Sequence, residues 1–190
     1  LTGLADKTVA IIGTGATAVQ CVPALGEGAK QLYVFQRTPS SVDVRNNAET
    51  DPKWAKNLKP GWQKERQKKF SEAFLGGPID PAFADDGWTR LTRNVTELAN
   101  QTAGKVPGLL QIADFKTMEE IRGLVDDTVK DPDVAEKLKA YYNQFCKRPT
   151  FNDFYLDPFN RPNVELVDVS ATQGVEAITE NGIIANDKEY

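Results

Sequence analysis

The chain has 190 residues, 40% of them apolar and 26% charged, with a formal net charge of −4, the profile of one globular unit large enough to bury a core. The acidic balance argues against a general nucleic-acid binder, and no apolar run approaches the length of a membrane span. Histidine is absent, which excludes Ser-His-Asp and Cys-His catalysis, histidine-bearing metal sites and an imidazole base.

The first predicted element is a strand over Thr8–Ile12, a short β-branched apolar run of the kind buried on both faces. It runs directly into Gly13-Thr14-Gly15-Ala16-Thr17-Ala18, a G-x-G-x-x-(G/A) turn. Gly13 allows the sharp exit from the strand, Gly15 lets a diphosphate approach the backbone, and Ala18 lets the following helix pack closely. That helix is predicted from about Ala16 to Gly28, with Val19, Val22 and Leu25 as its buried stripe and Pro23 interrupting its backbone bonding. Its N-terminus aims free N–H groups and a positive dipole end at the turn. Gln20, one turn in, is placed either to reach back to the diphosphate or to face water.

A second strand is predicted over Gln31–Gln36, ending in Gln36-Arg37-Thr38-Pro39. An NAD site places an acid here, roughly 20 residues past the turn, to hold the ribose 2′-hydroxyl. No Asp or Glu stands at this point; Arg37 and Thr38 suit the 2′-phosphate of NADP instead.

Beyond Pro39 the alternation breaks, with Ser40–Asn47 expected as extended loop and residues 45–145 as a helical insertion into one NADP-binding domain spanning 1–190. Asp51-Pro52 and Asp131-Pro132 both read as an N-cap followed by proline at the first helical position. Further helices are predicted over Trp62–Phe74, Asp86–Asn100 and Asp114–Thr128, with Asp85-Asp86 capping the second. Lys53, Lys56, Lys59, Lys64, Arg66, Lys68 and Lys69 read as a solvated basic face. Trp54, Trp62, Trp88, Tyr141 and Tyr142 read as packing residues of the insertion.

Lys147-Arg148-Pro149 places two cations in extended backbone before a proline, where their side chains diverge. Read from residue types alone, such a pair is solvated surface charge. Asp153 and Asp157 lie in a proline- and aromatic-rich stretch, a poor setting for paired acid–base carboxylates. Strand character returns at Val164–Val169, and Asn181-Gly182 between two apolar runs predicts a small hairpin. The fold expected is α/β: a Rossmann-like NADP-binding domain with a central parallel sheet, a small antiparallel hairpin and a helical insertion. The two cysteines, Cys21 and Cys146, form no C-x-x-C pair, so neither a disulfide framework nor a zinc site is expected, and a reducing, cytoplasmic setting is.

The stretch VAIIGTGATAVQ, followed by VFQRTP and then by CKRPTFNDFYLDPFNRPNVELVDV, resembles the NADPH-binding part of the flavin-dependent Baeyer–Villiger monooxygenases. In that family NADPH reduces FAD, and O₂ is then used to oxygenate a ketone to an ester or lactone. The resemblance implies that Lys147 helps Gly13, Thr14, Gly15, Ala16, Thr17, Ala18, Gln20, Arg37 and Thr38 hold NADP, and that Arg148 is the catalytic arginine near the flavin. No metal site is expected, given the absent histidine and the cysteine pattern. There is one nucleotide fingerprint here, and neither the FAD fingerprint nor the family's histidine-bearing signature is present. The chain is therefore expected to be part of a larger enzyme whose FAD domain lies outside it, and to turn nothing over alone. The alternatives are the NADPH domain of a nitrogen- or sulfur-oxygenating flavin monooxygenase, and a non-catalytic NADP-sensing module. A short-chain dehydrogenase would need Tyr-x-x-x-Lys, which does not occur.

Overall fold

The computed structural model describes residues 3–47, 49–75, 77–78, 87–102, 105 and 107–190. In chain order the elements are β1 (Thr8–Ile12), α1 (Ala16–Gly28), β2 (Gln31–Gln36), β3 (Val42–Asp43), α2 (Pro52–Lys56), α3 (Trp62–Phe74), α4 (Gly87–Gln101), α5 (Leu109–Thr128), α6 (Pro132–Leu138), β4 (Thr150–Phe151), β5 (Val164–Asp168), β6 (Ala177–Ile178), β7 (Ile183–Ala185) and β8 (Lys188–Glu189). Two short 3₁₀ turns, Gln144–Cys146 and Asp157–Asn160, flank β4. The chain divides into two compact units, Leu1–Asp43 with Met118–Tyr190, and Val44–Thr117.

The first unit is built on a parallel sheet in the order β1-β2-β5. β2 is central, pairing Val9 with Leu32 and Ile11 with Val34 on one side, and Leu32 with Val164 and Val34 with Leu166 on the other. Its position explains its composition: Leu32, Val34 and Phe35 are all buried, as a strand flanked on both edges requires. Helix α1 lays Val19, Val22 and Leu25 against this sheet, and Leu138, Tyr155, Leu156 and Phe159 close the same core. Pro23 sits inside α1, and the helix runs on past it to Gly28. Burying side chains such as Val22 and Leu32 contributes roughly 1.5–3 kcal/mol each.

β6, β7 and β8 form a small antiparallel sheet, one strand more than the hairpin the sequence suggests. Tyr190 closes it on β2, meeting Tyr33 and Phe35 edge-to-face at 5.1 and 5.3 Å. The α/β class, the parallel sheet and the antiparallel element therefore stand as expected.

The expected loop needs correction. Ser40–Asn47 is not simply loop, because Val42 and Asp43 pair in parallel with Thr150 and Phe151. Two residues between prolines carry no periodic signal, and the pairing joins segments more than a hundred residues apart, so nothing local could announce it.

The second unit is helical. Asp51 caps α2 by accepting from the Lys53 amide at 2.8 Å, as the Asp-Pro pattern predicts. Trp54 and Trp62 meet edge-to-face at 5.7 Å, and α3 is a charged helix that buries only Ala73. In α4, buried Asn94 donates to Thr117 Oγ1 at 2.8 Å. Helix α5 begins at Leu109, five residues before the predicted Asp114. The capping pair Asp85-Asp86 lies outside the described residues. No helix among them is long and apolar enough to cross a membrane.

Candidate nucleotide site

A cavity of about 370 Å³ opens at the C-terminal ends of β1 and β2, in the first unit. Gly13, Thr14, Gly15 and Ala16 form one wall, Arg37, Thr38 and Ser40 a second, and Lys147 and Arg148 a third. Val169, Gln173 and Gly174, in the turn after β5, line it as well, with Ile12 and Phe35 at the ends of β1 and β2.

Each wall follows from local chemistry. Gly13 has φ +94°, a conformation open to glycine, and its N–H donates to Phe35 C=O at 2.8 Å, tying the turn to β2. Gly15 is the N-cap of α1 in extended backbone, with no side-chain cap. A Cβ on Gly15 would meet no atom of the chain within 4 Å, so it would project into the cavity. The leading N–H groups of α1 have no side-chain cap and, at a helix start, no intrahelical partner, which is the arrangement an anion uses.

The second and third walls are fastened to the first. Thr14 is 3% exposed and turns its hydroxyl inward, donating to Thr38 C=O at 2.9 Å, while Ser40 Oγ donates to Thr14 C=O at 2.5 Å. β3 follows directly after Ser40-Ser41, and β4 follows directly after Arg148-Pro149. Parallel pairing of the two strands therefore sets the residues before them side by side. Thr150 secures this by donating to Ser41 C=O from both its N–H, at 3.2 Å, and its Oγ1, at 2.8 Å. Two cations distant in sequence from Arg37 are in this way brought to the same cavity.

Of the residues singled out in the sequence, Gly13, Thr14, Gly15, Ala16, Arg37, Thr38, Lys147 and Arg148 line the cavity together. Thr17, Ala18 and Gln20 do not: Ala18 is buried beneath α1, and Thr17 and Gln20 are exposed on it. Gln20 Nε2 donates back to Ala16 C=O at 3.1 Å, one turn down its own helix. Asp153 and Asp157 lie outside the cavity as well.

Tyr142, expected as a packing residue, does pack on Met118, Ile121 and Ala140. It also has a polar role that residue type alone does not announce: its hydroxyl accepts from the Ser41 N–H at 2.9 Å and donates to Pro39 C=O at 3.0 Å. Its ring lies 5.2 Å from Lys147 Nζ, in cation–π range. Burial pushes its phenol pKa up.

Comparison with known proteins then gives the chain a family. No protein-family model matches it. Over 196 residues it is 55% identical to the Baeyer-Villiger monooxygenase ATR8 of Stachybotrys chlorohalonatus, covering all of this chain and 31% of that protein. This chain belongs with the Baeyer–Villiger monooxygenases. It is also similar in structure to a polycyclic ketone monooxygenase from the fungus Thermothelomyces thermophila, with a TM-score of 0.81 and 38% identity over 98% of this chain and 31% of that one. A crystal structure of OTEMO in complex with FAD and NADP matches at a TM-score of 0.70 and 28% identity, over 98% of this chain and 37% of that one. The chain thus spans about a third of the length of the Baeyer–Villiger monooxygenases it matches. Among its described residues, no cluster of His, Cys, Asp and Glu could hold a metal ion.

The turn Val169–Gly174 carries little sequence signal because what defines it is conformational. Gln173 holds φ +61° and Gly174 φ +146°, stabilised by Gly174 N–H donating to Val169 C=O at 3.0 Å. Only the Gly174 that ends it hints at this in the sequence.

Proposed function

We propose that this chain is the NADPH-binding part of an FAD-dependent Baeyer–Villiger monooxygenase, which uses NADPH and O₂ to oxygenate ketones to esters or lactones. The observation that carries the reading is one cavity lined by a glycine-rich helix N-terminus and by Arg37, Lys147 and Arg148. A nucleotide with a diphosphate and an additional phosphate fits that charge distribution, and the space beside Gly15 is the close backbone approach a diphosphate requires.

In this Rossmann-like assignment the leading amides of α1 hold the diphosphate. Arg37, with Thr38 beside it, holds the 2′-phosphate through a planar, permanently charged fork. Lys147 adds a second cation on the nucleotide. Arg148, next in the chain, carries its charge toward the reacting centre, where arginine stays cationic at every working pH. Bound NADPH supplies a hydride for reduction of the flavin, which is held by the part of the polypeptide outside this chain. The setting proposed is cytoplasmic, with no nucleic-acid or membrane partner.

The names of the relatives favour ketone oxygenation over attack on nitrogen or sulfur, and over a sensing module without catalysis. The test is the full-length protein, purified and given NADPH, air and a cyclic ketone. A flavin absorbance spectrum that bleaches with NADPH under anaerobic conditions, followed by lactone in air, is expected. A colourless protein, or one that oxidises only amines and sulfides, contradicts the reading.

A further inference from the structure

Tyr142 does not line the cavity but contacts two of the segments that do, and nothing in the nucleotide reading assigns it a task. Its hydroxyl is bonded on both sides to the segment after Arg37 and Thr38, accepting from Ser41 N–H and donating to Pro39 C=O. Its ring faces the Lys147 ammonium. Its far side packs on Met118, Ile121 and Ala140, a buried cluster that gives it a fixed footing. The same segment is fastened from the other direction, Ser40 Oγ to Thr14 C=O and Thr14 Oγ1 to Thr38 C=O. Segment 37–41 is therefore held by the glycine turn at one end, by Thr150 on Ser41 C=O at the other, and by Tyr142 between them.

We propose that Tyr142 is a positioning residue for nucleotide discrimination: it braces segment 37–41 and Lys147 as one unit, so that Arg37, Thr38 and Lys147 present a prearranged phosphate site. The inference rests on the NADP assignment of this cavity and deepens it. Bidentate recognition by a guanidinium depends on angle as well as distance, so a segment free to shift loses the 2′-phosphate before it loses the diphosphate. The diphosphate depends on the α1 N-terminus, which Tyr142 does not touch. The brace therefore serves NADP selectively.

The experiment is titration of NADP⁺ and NAD⁺ into the full-length holoenzyme, unaltered and with Tyr142→Phe or Tyr142→Leu. Tyr142→Phe keeps the ring under Lys147 and removes both hydroxyl bonds, so NADP⁺ affinity is expected to fall roughly five- to tenfold with NAD⁺ affinity nearly unchanged. Tyr142→Leu removes the ring as well and is expected to lower NADP⁺ affinity further, with the same selectivity. If Tyr142→Phe does not fold, as thermal unfolding will tell, Ser40→Ala cuts the opposite fastening of the same segment and must show the same selective loss. Equal losses for both nucleotides mean that Tyr142 is only a packing residue, which overturns the proposal. An unaltered protein that binds no NADP⁺ overturns both this inference and the nucleotide assignment; normal binding with an unchanged NADP⁺ to NAD⁺ ratio in the variants overturns this inference alone.

Discussion

Ser40 and Thr14 are bonded to each other across 26 residues of chain, Ser40 Oγ to Thr14 C=O at 2.5 Å. The bond joins the turn that opens α1 to the segment that ends β2, so two walls of the cavity are fastened to each other. Thr14 contributes a hydroxyl to this fastening and leaves its backbone to the cavity.

Gly15 is where binding and folding separate. Its backbone, φ −72° and ψ −175°, suits any residue, and a Cβ there meets no neighbour. Because valine is a poorer N-cap than glycine, Gly15→Val is expected to cost about 1 kcal/mol of stability and to leave a folded chain, while abolishing nucleotide binding. Calorimetric titration with NADP⁺, beside a urea unfolding curve, checks both. Undiminished affinity in the folded variant would place the phosphate site elsewhere.

The helix starts show how much the sequence makes legible. Asp131 accepts from the Asp133 and Val134 amides at 2.9 and 3.2 Å, the cap that Asp-Pro predicts, because such a cap is decided within four residues of chain. The glycine turn, the spans of both first strands and the stripe Val19, Val22 and Leu25 are legible for the same reason. The expected burial of Thr8–Ile12 on both faces is not found, because β1 lies at the edge of the described sheet with its residues exposed or half-buried. What stayed hidden is non-local or conformational. Val42 and Asp43 are a strand only because Thr150 and Phe151 lie beside them, and Tyr142 joins the site through Pro39 and Ser41. Lys147 and Arg148 read as solvated charges from residue types alone, and both are in fact exposed. What distinguishes them is the company that the β3–β4 pairing supplies.

Tyr155 gives a prediction in the alkaline range. It is buried, its hydroxyl has no hydrogen-bond partner among the described residues, and burial raises its pKa above the ordinary 10.0. With the folded-state pKa raised, the folded chain keeps a proton that the unfolded chain releases near pH 10. Stability from this group is thus complete below about pH 10 and falls as pH rises toward the folded-state value. Tyr142 shifts in the same direction. Tyr155→Phe removes a buried hydroxyl with nothing to bond, so it is expected to raise stability by about 1 kcal/mol near neutral pH and to flatten the alkaline decline. Urea midpoints at about pH 8 and about pH 10.5 measure this. An unchanged alkaline decline in the variant would contradict it.

Arg148 and Lys147 are adjacent in sequence and are predicted to divide the work. Arg148→Ala in the full-length enzyme is expected to leave flavin reduction by NADPH near its normal rate and to lose ester formation by at least tenfold, on the order of the loss of one electrostatic stabiliser. Lys147→Ala is expected to raise the NADPH concentration needed for reduction and to leave the later oxygenation intact. Stopped-flow recording of the two half-reactions separates these outcomes. Ester formation at the normal rate by Arg148→Ala would return that residue to the solvated surface.

The central claim, that this cavity reads the 2′-phosphate of NADP, is tested most directly by comparing NADP⁺ and NAD⁺ affinities in the full-length protein before and after Arg37→Ala. Loss of a charge-assisted phosphate contact is predicted to cost about 1.5–3 kcal/mol for NADP⁺, a weakening of roughly ten- to more than a hundredfold, with little change for NAD⁺. Equal weakening of both nucleotides, or none of either, would contradict it.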